Sequence, residues 1–171
     1  MATRRESLFY VMSSLCAGLW LDKNWLGAKF FNLLPPNDLV GGWYYRSFLN
    51  DPQKIPNLNA LLFGEGDFML DESPLGRLSG TGDFGGGDTV RFQGTVLHGS
   101  LITIRFQATG TGPSNGDWLY DYLGILVPRW PNGVAQVPSI VGTVVRSAPH
   151  SNGAGGISPA GTVASFIAVK K

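Results

Sequence analysis

Aromatic residues alternate along two short segments of the sequence, as they would if they lined a binding cavity. Trp43 and Tyr45 stand two residues apart in one segment, and Trp118, Tyr120 and Tyr122 repeat that spacing in the other. Residues two apart point to the same face of a β-strand. A tyrosine combines a large apolar ring with a hydroxyl that forms hydrogen bonds, which suits a cavity that orients its ligand. An ordinary aromatic core explains the same pattern.

Three side chains in these segments could handle a proton, and a further one could orient a polar group. Tyr45, Asp121 and Tyr122 are the candidate proton-handling residues, and Arg105 is the candidate orienting residue. For Asp121, a carboxylate that is hydrogen-bonded for structural reasons is the commoner alternative. The full set of candidate ligand contacts is Trp43, Tyr45, Phe92, Arg105, Phe106, Trp118, Tyr120 and Tyr122.

Other familiar chemistries find no support in the sequence. Cys16, His98 and His150 are too few for a zinc site built from histidine and cysteine, so we expect no metal. The loop around His150 is rich in turn residues, which predicts that this histidine is solvated. No Ser-His-Asp, Cys-His or paired-carboxylate arrangement can be placed, and we expect no cofactor.

A match to the GxGxxG pattern spans residues 80–85 but lacks the context that this pattern needs. In dinucleotide-binding proteins a helix follows the glycines, and its N-terminus binds the pyrophosphate. Here Gly86, Gly87 and Asp88 follow, and then another alternating segment. The pattern therefore indicates a glycine-rich hairpin.

Composition favours a chain of many short strands. The 171 residues include 24 glycines and 11 prolines, yet 43% are hydrophobic. Lysine and arginine number 13 against 12 aspartates and glutamates. This balance gives no basic surplus of the kind that binds nucleic acid.

Alternating apolar and polar residues predict eight strands, with no helix of useful length between them. Sequential strands without helical crossovers pair antiparallel. The expected fold is all-β, an eight-stranded antiparallel up-and-down barrel, because closure removes exposed sheet edges. A two-sheet sandwich is the alternative. The predicted strands are 39–49, 60–71, 76–84, 88–97, 100–108, 118–128, 138–147 and 161–170.

The first 36 residues differ from the rest and predict a helical extension to a barrel domain over residues 37–171. Leu8–Leu21 is apolar for 14 residues, fewer than the roughly 20 that a transmembrane helix needs. Arg4-Arg5 resembles a twin-arginine signal, but no convincing cleavage site follows, so a cytoplasmic or membrane-peripheral location is favoured over secretion. The apolar content of residues 8–34 suggests contact with a second copy, a larger complex or a membrane surface.

Three short motifs in order resemble those of lipocalins and related calycins. They are Gly41-x-Trp43, Tyr120-Asp121-Tyr122 and an arginine motif at residues 144–149 that contains Arg146. Residues 121–129, which end in Arg129, offer a second candidate for the arginine motif. The resemblance implies a closed barrel in which Trp43 and Arg146 pack together at the closed end as a cation–π clamp.

Three functions remain open from the sequence. The leading hypothesis is a barrel that binds a small hydrophobic or amphipathic ligand in its interior. The second is an isomerase or cyclase that confines its substrate in a productive conformation. The third is a non-catalytic subunit that docks through its N-terminal helices.

Overall fold

The chain folds into a closed antiparallel barrel of eight long strands, as the sequence predicts. The computed structural model describes residues 38–54, 57–73 and 75–171. The strand order around the barrel is β1-β10-β7-β6-β5-β4-β3-β2, with a two-stranded hairpin, β8-β9, in the connection between β7 and β10. The elements are β1 (Gly41–Leu49), a short 3₁₀ helix (Leu58–Leu61), β2 (Leu62–Ser73), β3 (Arg77–Asp83), β4 (Thr89–Leu97), β5 (Thr103–Gly110), β6 (Leu119–Leu126), β7 (Ser139–Arg146), β8 (His150–Ser151), β9 (Ile157–Ser158) and β10 (Val163–Lys170).

Alternation along each strand decides which side chains enter the barrel. In β4, Val90 and Phe92 are buried, whereas Arg91 and Gln93, which alternate with them, are exposed. The eight predicted strands agree with the observed ones to within three residues at each end. The GxGxxG segment lies at the end of β3 and in the hairpin that follows, as its context indicates.

Aromatic rings fill the middle of the barrel. The rings of Phe106 and Tyr122 stack with centroids 4.5 Å apart, and those of Tyr45 and Phe68 stack at 4.3 Å. Phe92 packs edge-on against Phe68 at 4.6 Å. These contacts exclude a ligand from the centre, so binding space must be sought nearer one end.

The two ends of the barrel differ in how they close. We call the end with the connections 50–61, 84–88, 111–118 and 147–162 the mouth, and the opposite end, where Leu39 and Lys170 lie, the base. At the base, Trp43 is fully buried and its Nε1 donates a hydrogen bond to the carbonyl of Leu39 at 3.0 Å. The chain that enters β1 therefore closes this end.

The predicted clamp between Trp43 and Arg146 is wrong. Trp43 pairs with Lys170 at the base, whereas Arg146 ends β7 at the mouth, opposite Tyr120. Arg146 stands opposite Thr162, eight residues before Lys170, which is about 26 Å along the strand at its usual rise. The cation over the Trp43 ring is Lys170, whose Nζ lies 5.0 Å from the ring centroid.

Arg129, the second candidate for the arginine of the calycin-like motif, does lie at the base. Arg129 follows β6 and forms an ion pair with Asp38, at 3.5 Å between Nη2 and Oδ2. The backbone carbonyl of Asp38 in turn accepts a hydrogen bond from Nζ of Lys170 at 3.0 Å. What the structure shares with calycins is thus the closed eight-stranded barrel.

The predicted helical extension over residues 1–36, and the contacts expected of residues 8–34, lie outside the described residues. Within the described part of the chain, no helix has the length and hydropathy needed to cross a bilayer.

Candidate ligand-binding site

A gap in the barrel wall creates the pocket at the mouth. β2 pairs with β1 from Leu62 onward, but its pairing with β3 begins only at Asp67, opposite Asp83. The first residues of β2 therefore have β1 on one side and no β3 strand on the other. Phe84, in the connection 84–88, approaches β2 here, because a Cβ at Gly64 would lie 3.9 Å from its ring.

The pocket in this gap has a volume of about 320 Å³, at the lower end of the range for small-molecule sites. Five of its nine lining residues are aromatic. The lining consists of Leu62, Phe63, Gly64, Glu65, Phe84, Asp88, Trp118, Tyr120 and Tyr122.

A bulge in β2 brings Phe63 to the mouth. Ser47 pairs with Gly64 and Phe48 pairs with Leu62, so Phe63 is the extra residue between two ladder positions. A bulge redirects a side chain from the alternation of its strand. The Phe63 ring packs edge-on against Tyr120, with centroids 6.1 Å apart.

Gly64 lines the pocket and has no side chain, so the space beside it stays empty. A Cβ at this position would lie 3.6 Å from Oγ of Ser47 and 3.9 Å from the rings of Phe84 and Tyr45. Those are ordinary contact distances, so the glycine is not required by backbone strain. Any larger side chain here would occupy the pocket.

The glycine-rich connection 84–88 holds Phe84 and Asp88 at its two ends. Gly85, Gly86 and Gly87 all have positive φ, between 63° and 91°, which L side chains rarely adopt. The amide of Phe84 donates to the carbonyl of Asp88 at 2.9 Å and closes the turn. Both side chains are thereby presented to the same pocket.

A buried asparagine positions Trp118. Asn115 is fully buried, accepts a hydrogen bond from the amide of Gly112 at 2.8 Å and donates to the carbonyl of Thr89 at 2.9 Å. Its own carbonyl accepts from the amide of Trp118 at 2.9 Å. The Trp118 ring then packs edge-on against Phe84, with centroids 6.1 Å apart.

Two tyrosines lie beneath the pocket and remain neutral over the physiological range. The hydroxyls of Tyr45 and Tyr122 are 3.5 Å apart. Burial raises the pKa of Tyr45 to about 12, and burial also raises the pKa of Tyr122 well above its ordinary value. Neither phenol can act as a base near neutral pH, so their chemistry is hydrogen bonding.

Tyr120 joins the pocket to a buried polar network. Its hydroxyl lies 2.7 Å from Nε2 of His150, while Nδ1 of that ring lies 2.7 Å from the carbonyl of Ser151. A carbonyl only accepts, so in the neutral ring Nδ1 carries the proton and Nε2 accepts from Tyr120. Nε of Arg146 approaches the same hydroxyl at 3.5 Å. Burial raises the pKa of Tyr120 despite the nearby guanidinium.

This network corrects the prediction that His150 is solvated. The imidazole is 6% exposed, because Trp118 and Tyr120 pack against it with ring centroids 5.4 and 5.8 Å away. Turn residues around His150 are indeed in a connection, but that connection folds over the mouth.

The pocket contains only part of the predicted contact set. Trp118, Tyr120 and Tyr122 line it, and Tyr45 touches its floor through Tyr122. Phe92 and Phe106 belong to the central aromatic cluster, and Trp43 lies at the base.

Two predicted residues point away from the interior. Arg105 and Asp121 are exposed on the outer surface, so neither can serve as an interior ligand or proton-transfer group. Arg105 directly precedes the buried Phe106, and Asp121 directly precedes the buried Tyr122. Because successive residues of a strand point to opposite faces, both charged side chains lie on the outer face. Asp121 is instead hydrogen-bonded outside, by Gln107 at 3.0 Å and Ser147 at 2.5 Å.

Sequence reasoning missed Phe63, Gly64, Phe84 and Asp88. Phe63 breaks the alternation of β2 through the bulge, and Phe84 and Asp88 lie in a turn where strand periodicity has no meaning. The three consecutive glycines were the available signal, since such a run forces a tight connection whose end residues are close together.

A second depression, of about 650 Å³, lies on the outer side of the same gap and includes Tyr44, Arg46, Asp67 and Ile167. Its lining is mainly the mixed outer surface of the barrel.

Among residues 38–54, 57–73 and 75–171, no three potential metal-ligating side chains come together. Comparison of the chain with protein-family models, curated proteins and solved structures finds no match.

Proposed function

We propose that this protein binds a small, largely apolar molecule in the pocket at the mouth of the barrel. The observation that carries the proposal is the combination of five aromatic lining residues with Gly64, which lines the same pocket beside Phe84 and has no side chain to fill it. Removing apolar ligand surface from water would contribute about 25 cal/mol per Å². The hydroxyls of Tyr120 and Tyr122, which line the pocket, would orient a polar group on the ligand.

The volume limits the ligand to the size of a substituted aromatic ring or a compact branched amphiphile. Long acyl chains do not fit, because the aromatic cluster of Tyr45, Phe68 and Phe106 occupies the barrel below the pocket. This restricts the broad class of hydrophobic ligands expected from the sequence.

The test fills the pocket without disturbing the rest of the barrel. Isothermal titration of the full chain with benzyl alcohol and other compact amphiphiles should give a dissociation constant below about 1 mM, near −4 kcal/mol. Gly64→Leu should abolish this binding. Gly99→Leu is the matched control, because Gly99 lies in the β4–β5 connection at the base and has room for a side chain.

Near-ultraviolet circular dichroism would verify that both variants retain the barrel. Binding that is equal in the wild type and in folded Gly64→Leu would overturn the proposal, as would the absence of any binding by the wild type.

An isomerase or cyclase is the second candidate, and one observation favours it. The pair formed by Tyr120 and His150 joins a phenol that lines the pocket to a buried imidazole by a hydrogen bond of 2.7 Å, and histidine commonly serves enzymes as a general acid, a general base or a proton shuttle. It replaces Asp121 in the catalytic hypothesis. If the protein converts one of the ligands that it binds, this conversion should be lost in both Tyr120→Phe and His150→Gln. Loss of conversion with ligand binding retained would support an isomerase or cyclase over simple binding.

A further inference from the structure

We infer that the mouth pocket selects a neutral ligand that presents a hydrogen-bond acceptor, such as a ketone oxygen, to the hydroxyl of Tyr122. The inference rests on the proposed ligand-binding function and adds the polar class of the ligand. Three features of the site support it: the hydrogen bonds of the hydroxyls beneath the pocket, their position beside Gly64 and the charges around the lining.

Two buried phenols beneath the pocket share one hydrogen bond. Tyr45 is 2% exposed and Tyr122 is 5% exposed, and their hydroxyl oxygens lie 3.5 Å apart. Each hydroxyl carries one proton, and either can be the donor in this contact. In both orientations one phenolic proton has no acceptor among the described residues. Because a buried donor without a partner is costly, its acceptor must come from what fills the pocket.

Ser47 does not supply the missing acceptor. This serine is fully buried, and its Oγ donates a hydrogen bond to the carbonyl of Gly64 at 3.3 Å. Burial raises the pKa of Tyr45 to about 12, and a hydrogen bond that Ser47 gives to the phenol partly offsets this rise. In either contact the serine is the donor, so it takes no proton from Tyr45.

The hydroxyls of Tyr45 and Tyr122 meet the pocket beside Gly64. A Cβ at Gly64 would lie 3.9 Å from Cε1 of Tyr45 and 3.6 Å from Oγ of Ser47. Cε1 is bonded to the ring carbon that carries the hydroxyl, so the hydroxyl end of this phenol adjoins the empty glycine position. Tyr122 lines the pocket itself. In the complex, Tyr45 therefore donates to Tyr122, and Tyr122 donates to the ligand.

The other phenol of the lining differs, because its proton is already used. The hydroxyl of Tyr120 lies 2.7 Å from Nε2 of His150, and the neutral imidazole accepts its proton in a hydrogen bond. Of the two phenols that line the pocket, Tyr122 is thus the one with a donor for the ligand.

Charges of both signs lie beside the pocket, which disfavours a charged ligand. Glu65 and Asp88 are acidic lining residues. The guanidinium carbon of Arg146 lies 5.3 Å from the ring centroid of Phe63 and 5.9 Å from that of Tyr120. A carboxylate would be repelled by the acidic residues and an ammonium group by the guanidinium, and burial of either charge costs solvation. A neutral acceptor avoids these penalties.

The experiment compares two probes of nearly equal shape. Acetophenone presents a carbonyl oxygen, and α-methylstyrene has a methylene group in its place. Equilibrium dialysis would measure the binding of both to the full chain and to Tyr122→Phe, which removes the donor and keeps the ring. The affinity of acetophenone relative to that of α-methylstyrene should fall about fivefold in Tyr122→Phe.

Tyr44→Phe is the matched control, because it makes the same change on the outer surface, where Tyr44 is 61% exposed. It should leave the ratio of the two affinities unchanged. Benzoate and benzylamine, which are anionic and cationic at neutral pH, test the charge and should bind more weakly than acetophenone.

The infrared band of the ligand's carbonyl gives a second measurement, which needs no variant. Carbon-13 in the carbonyl of acetophenone separates its band from those of the protein amides. In the complex with the wild type, this band should lie at a lower frequency than in hexane, because a hydrogen bond weakens the carbonyl bond.

The outcomes separate the inference from the proposed function. An affinity ratio that is equal in the wild type and in folded Tyr122→Phe would overturn the inference and leave the proposed function standing. The same holds for a carbonyl band at its hexane frequency, and for benzoate or benzylamine binding more tightly than acetophenone. Failure of every probe, together with benzyl alcohol, would overturn both.

Discussion

The hydroxyl of Tyr120 lies 2.7 Å from Nε2 of His150, and this buried hydrogen bond ties the barrel wall to the long connection between β7 and β10. The same imidazole is fixed from its other side by the carbonyl of Ser151. The contact therefore orders the connection and completes one wall of the pocket.

We expect His150→Ala to lower the free energy of unfolding by about 1–3 kcal/mol, because it leaves a buried hydroxyl without its main partner. Urea denaturation would measure the change. His98→Ala is the matched control, since His98 lies near the base and contacts Glu72 on the surface, where a pair contributes little. Equal losses in the two variants would contradict a structural role for the Tyr120 contact.

Lys170 should stabilise the base through its contacts with Trp43 and with two backbone carbonyls, those of Asp38 and Val40. Lys170→Met keeps the apolar stem and removes the charge, so we expect a loss of about 1 kcal/mol. Lys171→Met tests the neighbouring position, where Tyr44 and Asp67 make surface contacts with the lysine. In thermal unfolding, the melting temperature of Lys170→Met should be clearly lower than that of Lys171→Met.

The buried tyrosines predict how stability depends on alkaline pH. The pKa of Tyr45 is raised to about 12 from the 10.0 of a free side chain, so the unfolded chain loses this proton first. Stability from this group is complete below pH 10 and is lost as pH rises toward 12. Tyr122 acts in the same direction.

Tyrosinate absorbance would follow this titration. We expect Tyr45 and Tyr122 to ionise only as the protein unfolds, because burial raises the pKa of both. Tyr45→Phe should make the alkaline loss of stability less steep. Reversible ionisation of every tyrosine in a protein that stays folded would contradict the burial argument.

The barrel should fold without its first 37 residues. Its eight strands lie between Gly41 and Lys170 and pair with one another around a closed ring. A chain that begins at Asp38 should therefore give the same β-rich circular dichroism as the full chain. Light scattering and liposome flotation of both would test the contacts predicted for residues 8–34. The full chain should associate or float, and the shortened chain should do neither.

Periodicity in the sequence was sufficient to predict the eight strands, whereas closure into a barrel was favoured over a two-sheet sandwich only because it removes exposed sheet edges. Apolar residues at every second position, as in Val90, Phe92 and Val96, define a face that must be buried, and sequential strands with no predicted helical crossover between them pair antiparallel. The inward placement of Tyr120 and Tyr122 follows from the same rule, as does the outward placement of Arg105 and Asp121.

The pocket itself depended on tertiary structure. The bulge at Phe63 and the early end of β3 are properties of strand pairing, and neither leaves a period in the sequence. The sequence also does not show at which end of the barrel a residue lies. The calycin resemblance implies that Trp43 and Arg146 share one end, whereas strand pairing places them at opposite ends. Local sequence determines which face a side chain takes, whereas register between distant strands determines its neighbours, because register is set by packing across the whole barrel.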